Sequence, residues 1–160
     1  METMRSRALA VLSALAIMLL FQIPITRVDA DNDAARDNGR TLHLRVYFEQ
    51  FATSDQSFGF GAQLTFKGTF ARFDRPNERI GTFAMHSVVT APFAAETLLY
   101  GVLNFSDGQI SFTALSPTQP PRIPGPITGG TGVYKNAGGQ IEHVSHPGGV
   151  EELILTFHGK

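Results

Sequence analysis

The chain has 160 residues, no cysteine and a formal net charge of −1. The missing thiol excludes disulfides, thiolate metal sites, cysteine nucleophiles and a lipidated N-terminal cysteine. A charge this close to zero gives no basic face of the kind nucleic acid requires, while 13 phenylalanines without a tryptophan supply a large apolar interior with few polar handles.

Arg5 and Arg7 precede an apolar run over residues 8–21, broken only by Ser13, and Val28-Asp29-Ala30 offers small residues in the pattern a signal peptidase reads. Residues 1–30 are expected to be a signal peptide cleaved after Ala30, which makes the protein secreted or envelope-located, without stable membrane insertion afterwards. An uncleaved anchor is the alternative, because residues 8–25 approach the length of a bilayer span. Arg5, Arg7, Arg27, Glu2 and Asp29 all fall in this leader, so the mature chain also stays near neutral. Residues 31–39 are polar and charged and read as a disordered lead-in. Residues 40–160 then form one domain, and a mature chain of about 130 residues is long enough for a single compact core.

Beyond the lead-in the chain reads as strands. Residues 41–51 alternate, with Leu42, Leu44, Val46 and Phe48 on one face and His43, Arg45, Tyr47 and Glu49 on the other. A turn over 54–57 leads to a strand over 60–73, in which Gly68 suits a bulge or bend. Asp74-Arg75-Pro76-Asn77 is a turn signal, followed by strands over 79–90 and 96–105. Ser106-Asp107-Gly108 is expected to close a hairpin into a strand over 109–115. Residues 116–126 hold five prolines in eleven positions, which predicts a stiff loop, neither helix nor central strand, before a short strand at Ile127. Strands over 140–144 and 150–157, joined by Pro147-Gly148-Gly149, complete eight. Eight strands can close on themselves, so the expected fold is all-β, an eight-stranded antiparallel β-barrel with an interior filled by side chains or occupied by a small ligand.

Residues 127–141 read Ile-Thr-Gly-Gly-Thr-Gly-Val-Tyr-Lys-Asn-Ala-Gly-Gly-Gln-Ile, five glycines in fifteen positions. The pattern predicts strand, tight turn, one short helical turn and strand, with Gly129, Gly130 and Gly132 bending the backbone. Thr131 is expected to bond the turn's backbone and Tyr134 to cover the barrel end. A phosphate-binding loop is excluded, because no Gly-Lys-Ser/Thr and no long helix follow.

This turn resembles the signature turn of the allene oxide cyclase and dirigent barrels. Arg79-Ile80-Gly81, the hairpin at Asp107-Gly108-Gln109-Ile110-Ser111 and residues 127–141 stand in that family's order at similar separations, and Val46-Tyr47-Phe48 resembles the dirigent first strand. The resemblance implies a calycin-like antiparallel barrel, commonly a homotrimer, with a cavity that guides a small molecule into one ring closure or coupling geometry without a cofactor. The family's functional residues carry over in part. Where plant cyclases have a cysteine, this chain has Ser87. Their first-strand glutamate falls at Glu49 or at Phe48, registers that differ by one residue and therefore by face. The dirigent aspartate falls near Gln50, and the dirigent Ala-Arg-Gly after the turn reads Ala137-Gly138-Gly139.

Three residues are candidate acid–base or charge-stabilising groups. A carboxylate at Glu49 inside an apolar barrel could act as an acid or base or polarise a ligand, yet its row with His43 and Arg45 fits a solvated face better. His86 is a candidate general acid–base group or a hydrogen-bonded structural or surface residue. Tyr100 offers a hydroxyl, with Tyr47, Ser87 and Asn104 as candidate ligand contacts; exposure accounts equally well for Tyr47, Tyr100 and Asn104. His143, His146 and Glu142 suggest a metal set, but positions 143 and 146 point to opposite faces of a strand, so a surface turn and no metal site is expected. No cofactor is expected. The leading functional expectation is a cyclase- or dirigent-like barrel that steers a small hydrophobic, oxygenated metabolite by orientation. The rivals are a secreted barrel that binds a lipophilic ligand without turnover and a structural envelope protein filled by its own phenylalanines.

Overall fold

The computed structural model describes residues 41–55, 57, 59–91, 96–116 and 122–158; the expected leader, its cleavage site and the lead-in lie outside them. Eight strands occur among the described residues: β1 (Thr41–Thr53), β2 (Gln63–Arg72), β3 (Arg75–Ala91), β4 (Glu96–Phe105), β5 (Gly108–Ser116), β6 (Arg122–Gly130), β7 (Gly139–His146) and β8 (Val150–Phe157). They form a closed barrel in sequence order. Each strand is antiparallel to the next, and β8 returns to β1 through pairs from Thr41↔Thr156 to Val46↔Glu151. Closure gives every described strand a neighbour on both sides, although β6 pairs with β5 only from Ile127 onward.

Alternation sets which side chains fill the interior. Leu42, Leu44 and Val46 of β1 point inward and join Phe70, Phe83 and Leu103 in one buried cluster. Between Phe48 and Gln50 the register with β2 shifts, with Glu49 as the extra residue opposite Gly68 and Lys67. This bulge lets Phe48 and Phe51 both face inward while Glu49 and Gln50 stay exposed. Gly68 permits it, because a Cβ there would collide with the Tyr47 carbonyl.

The glycine-rich turn seals one barrel end. β6 stops at Gly130, Gly132–Tyr134 make a single 3-10 turn, and β7 begins at Gly139. Gly132 has φ of 59°, and a Cβ there would strike the Asp107 carbonyl. Thr131 Oγ1 accepts the backbone N–H of Gln109 at 3.1 Å, and the Ser111 hydroxyl donates to the Gly129 carbonyl at 3.3 Å. The Tyr134 ring is buried 4.9 Å from that of Phe105.

Most strand ends fall within two residues of the sequence expectation, and three elements depart from it in kind. β2 begins at Gln63 rather than at residue 60, and Phe60 stands 80% exposed in the preceding turn. β3 begins at Arg75, where a turn over 74–77 is expected from sequence. The register accommodates Pro76 by a bulge, since Arg72↔Arg75 is followed directly by Ala71↔Arg79. The third is β6, which takes up residues 122–130 where the prolines predict a loop as far as residue 126. Pro124 and Pro126 pair with Glu142 and Gln140 of β7, while β5 pairs with β6 only from Ile127 to Gly130. Proline contributes no ladder donor, and the β5 side asks for none at 124 and 126. Among the described residues no helix is long and apolar enough to cross a membrane.

Candidate functional site

Inward side chains shrink toward the end of the barrel opposite the glycine turn. Along β5 they run Ile110, Phe112, Ala114, Ser116, and along β3 they run Phe83, Met85, Ser87. The large residues pack the half near Tyr134, whereas the small ones leave a cavity of about 280 Å³ in the other half. Phe48, Phe66 and Phe112 give it an aromatic wall, continued by Leu64, Met85 and Leu99. Ser87, Thr97, Ser116 and His143 are the polar side chains on this mostly apolar wall, the composition of a pocket that holds a small molecule and orients it through a few polar groups.

Ser87 is 2% exposed and lies on the cavity wall. The five other candidates lie on the outer face. His86 and Tyr100 are brought together as cross-strand partners; the His86 Nδ1 is 3.4 Å from the Thr65 hydroxyl, and Tyr100 is 47% exposed. Asn104 is exposed beside Thr82 and accepts a hydrogen bond from the Gln109 amide at 3.1 Å. Glu49 sits in the β1 bulge and accepts the Thr69 hydroxyl at 2.8 Å. Tyr47 donates its hydroxyl to the Pro76 carbonyl at 2.7 Å, with the Arg79 guanidinium 3.3 Å over its ring. This stacked cation and hydrogen bond hold the β3 bulge against β1.

The histidine expected in a surface turn is instead part of the cavity. His143 shares the inward row of β7 with Ile141 and pairs with Leu153 of β8. Its Nε2 lies 2.8 Å from Glu151 Oε2, an oxygen that also accepts the Ser145 hydroxyl at 2.7 Å. Burial pushes the Glu151 carboxyl up, but its contacts with His143 and Ser145 and the nearby imidazoles outweigh this and hold it below the usual range. His146 faces the other way, as alternation requires. It meets Glu152 Oε2 at 2.7 Å while His43 meets Oε1 at 2.6 Å. Glu152 is 6% exposed, and there too burial is outweighed by the two histidines, leaving the carboxyl depressed. No group of three or more such side chains among the described residues is arranged to hold a metal ion.

No family model matches the chain, and no curated protein does. Solved structures do. A pyocyanin demethylase superposes with a TM-score of 0.64 at 22% identity, over 74% of this chain and 99% of that one. A pterocarpan synthase dirigent protein gives 0.61 at 17% identity, over 88% and 99%. AbnU, an exo-specific intermolecular Diels-Alderase, gives 0.62 at 15% identity, over 77% and 100%. At these identities the likeness is one of fold: the chain is an eight-stranded closed barrel of the dirigent-like type that its glycine turn resembles.

Proposed function

We propose that the barrel takes up a small, largely apolar, oxygenated molecule and steers its cyclisation or coupling. The cavity carries this reading. It is lined on nearly every side by aromatic and aliphatic side chains, with isolated hydroxyls and one imidazole to fix an orientation. Holding a flexible molecule near its reactive shape lowers the barrier mainly by orientation, and the structural neighbours include proteins named for a cycloaddition and for pterocarpan synthesis. Native mass spectrometry of the protein purified from its source tests it. The expected result is a bound small molecule of defined mass that is lost in Ala114→Phe, whose ring fills the cavity. A folded wild-type barrel that carries nothing and binds no hydrophobic probe at this site overturns it. Binding without conversion of any captured ligand identifies a carrier instead.

The proposal includes export by the leader of residues 1–30, checked by N-terminal sequencing of the protein from culture medium. It also includes assembly as a homotrimer. Tyr100, Val102 and Leu115 are exposed together on the outer face of β4 and β5, and an apolar strip of this kind supports a contact between subunits.

A further inference from the structure

We propose that His143 and Glu151 form an acid–base pair serving the cavity, and that its ligand is a weakly acidic hydroxyl compound, a phenol or an enol, whose proton His143 takes and returns. The inference rests on the cavity reading above and names its substrate class. Four observations carry it. First, the His143 ring is on the wall of an otherwise apolar cavity. Second, its Nε2 is 2.8 Å from a Glu151 carboxylate oxygen, although the N–H is not aimed along that line and Nε2 is otherwise buried without a hydrogen-bond partner among the described residues. Such contacts commonly straighten when a ligand binds. Third, a carboxylate is acceptor-only, so it assigns the proton of the neutral imidazole to Nε2 and leaves the Nδ1 lone pair as the base. Nδ1 has no hydrogen-bond partner among the described residues.

The fourth observation is topological. β3 and β7 are four strands apart in either direction around the closed ring, so Ser87 and His143 line opposite walls of one cavity. The Ser87 hydroxyl also lacks a hydrogen-bond partner among the described residues. A flat oxygenated molecule can span from one to the other between Phe48, Phe66 and Phe112.

The step balances without any other reactant. The ligand O–H bond breaks, an Nδ1–H bond forms, and the electron pair stays on the ligand oxygen. The imidazolium so formed faces the Glu151 carboxylate, which Ser145 holds by a hydrogen bond. In an apolar cavity a lone oxyanion is strongly disfavoured, so the ligand ionises only as the partner of that imidazolium. Charge pushed into a phenol or enol activates the carbon positions conjugated with it, which prepares ring closure. Return of the proton from Nδ1 completes the cycle. His143 touches the ligand and is the catalytic residue; Glu151 is a positioning residue.

The test uses 4-nitrophenol, whose ionised form absorbs at longer wavelength than its neutral form. In a buffer acidic enough to keep the free probe colourless, binding to the wild-type protein is expected to produce the yellow phenolate band. His143→Gln and Glu151→Gln, shown folded by circular dichroism, are expected still to bind the probe, more weakly because the ionised form is lost. In both, the ratio of bound phenolate to phenol should fall by roughly tenfold or more, the change that loss of a close opposite charge produces. A bound probe that stays neutral in the wild type overturns the acid–base pair and leaves the cavity reading intact, as does a phenolate band that survives His143→Gln. Absence of saturable binding, or binding that survives Ala114→Phe, overturns the cavity reading and the pair together.

Discussion

On the outside of β8, a single carboxylate is clasped by two imidazoles. Glu152 binds His43 through one oxygen and His146 through the other, and the His146 ring also packs 5.8 Å from Phe73. Arg45 is its cross-strand partner on β1 and Val144 on β7. The folded-state pKa of Glu152 lies below its ordinary 4.5. A depressed carboxyl contributes stability that is fully present above the unfolded value and is lost as pH falls through the folded one. Glu151, also depressed, acts in the same direction. Melting temperature should therefore fall on acidification below the ordinary carboxylate range. Glu152→Gln should be less stable than the wild type at neutral pH and converge on it in acid. Thermal melts of both proteins across that range check it; parallel curves would show that Glu152 gains nothing from its histidines.

The elements show what alternation alone determines and where contact with a neighbouring strand takes over. Inward glycines on β3 and β4 lie under phenylalanine rings from the adjacent strand, Gly81 beneath Phe70 and Gly101 beneath Phe112. A methyl at Gly101 would enter the Phe112 ring. Gly101→Ala should cost about 1–3 kcal/mol, as overpacking of a filled core does, read as a lower urea midpoint with an unchanged slope. Substitution of Gly138, where nothing lies near an added Cβ, should leave the midpoint close to wild type. Strand count, the β1 faces, the 106–108 hairpin and the glycine turn were legible in sequence because each depends on neighbours along the chain. β6 was not, since two prolines read as a breaker unless one knows that the β5 side of that stretch goes unpaired. His143 was hidden by another limit. The alternation that separates it from His146 also puts it in register with Ile141, but only closure shows that this row faces a cavity. Glu49 and Ser87 divide on the same ground, one on the outer row of β1 and the other on the inward row of β3.

For the whole molecule, closure separates two faces with different work. The interior is packed near Tyr134 and open near Ser87 and His143, so the proposed ligand chemistry belongs to one half of the barrel. The outer face of β4 and β5 carries Tyr100, Val102 and Leu115, 47%, 37% and 51% exposed. Leu115 is paired with Leu98 and Tyr100 with Thr113, which makes Leu115 and Tyr100 diagonal neighbours on one surface. Their side chains point away from the cavity, so contact between subunits and occupancy of the cavity can be separated by mutation. A charge placed on this strip would be desolvated in any interface but would face water in a lone barrel. Leu115→Glu is therefore expected to convert the proposed trimer to monomers in native mass spectrometry while bound 4-nitrophenol keeps its phenolate band. An unchanged oligomer would move the contact to another face. Monomers that lose the band would mean that the neighbouring subunit completes the site, and the His143–Glu151 pair would then need its partner barrel to work.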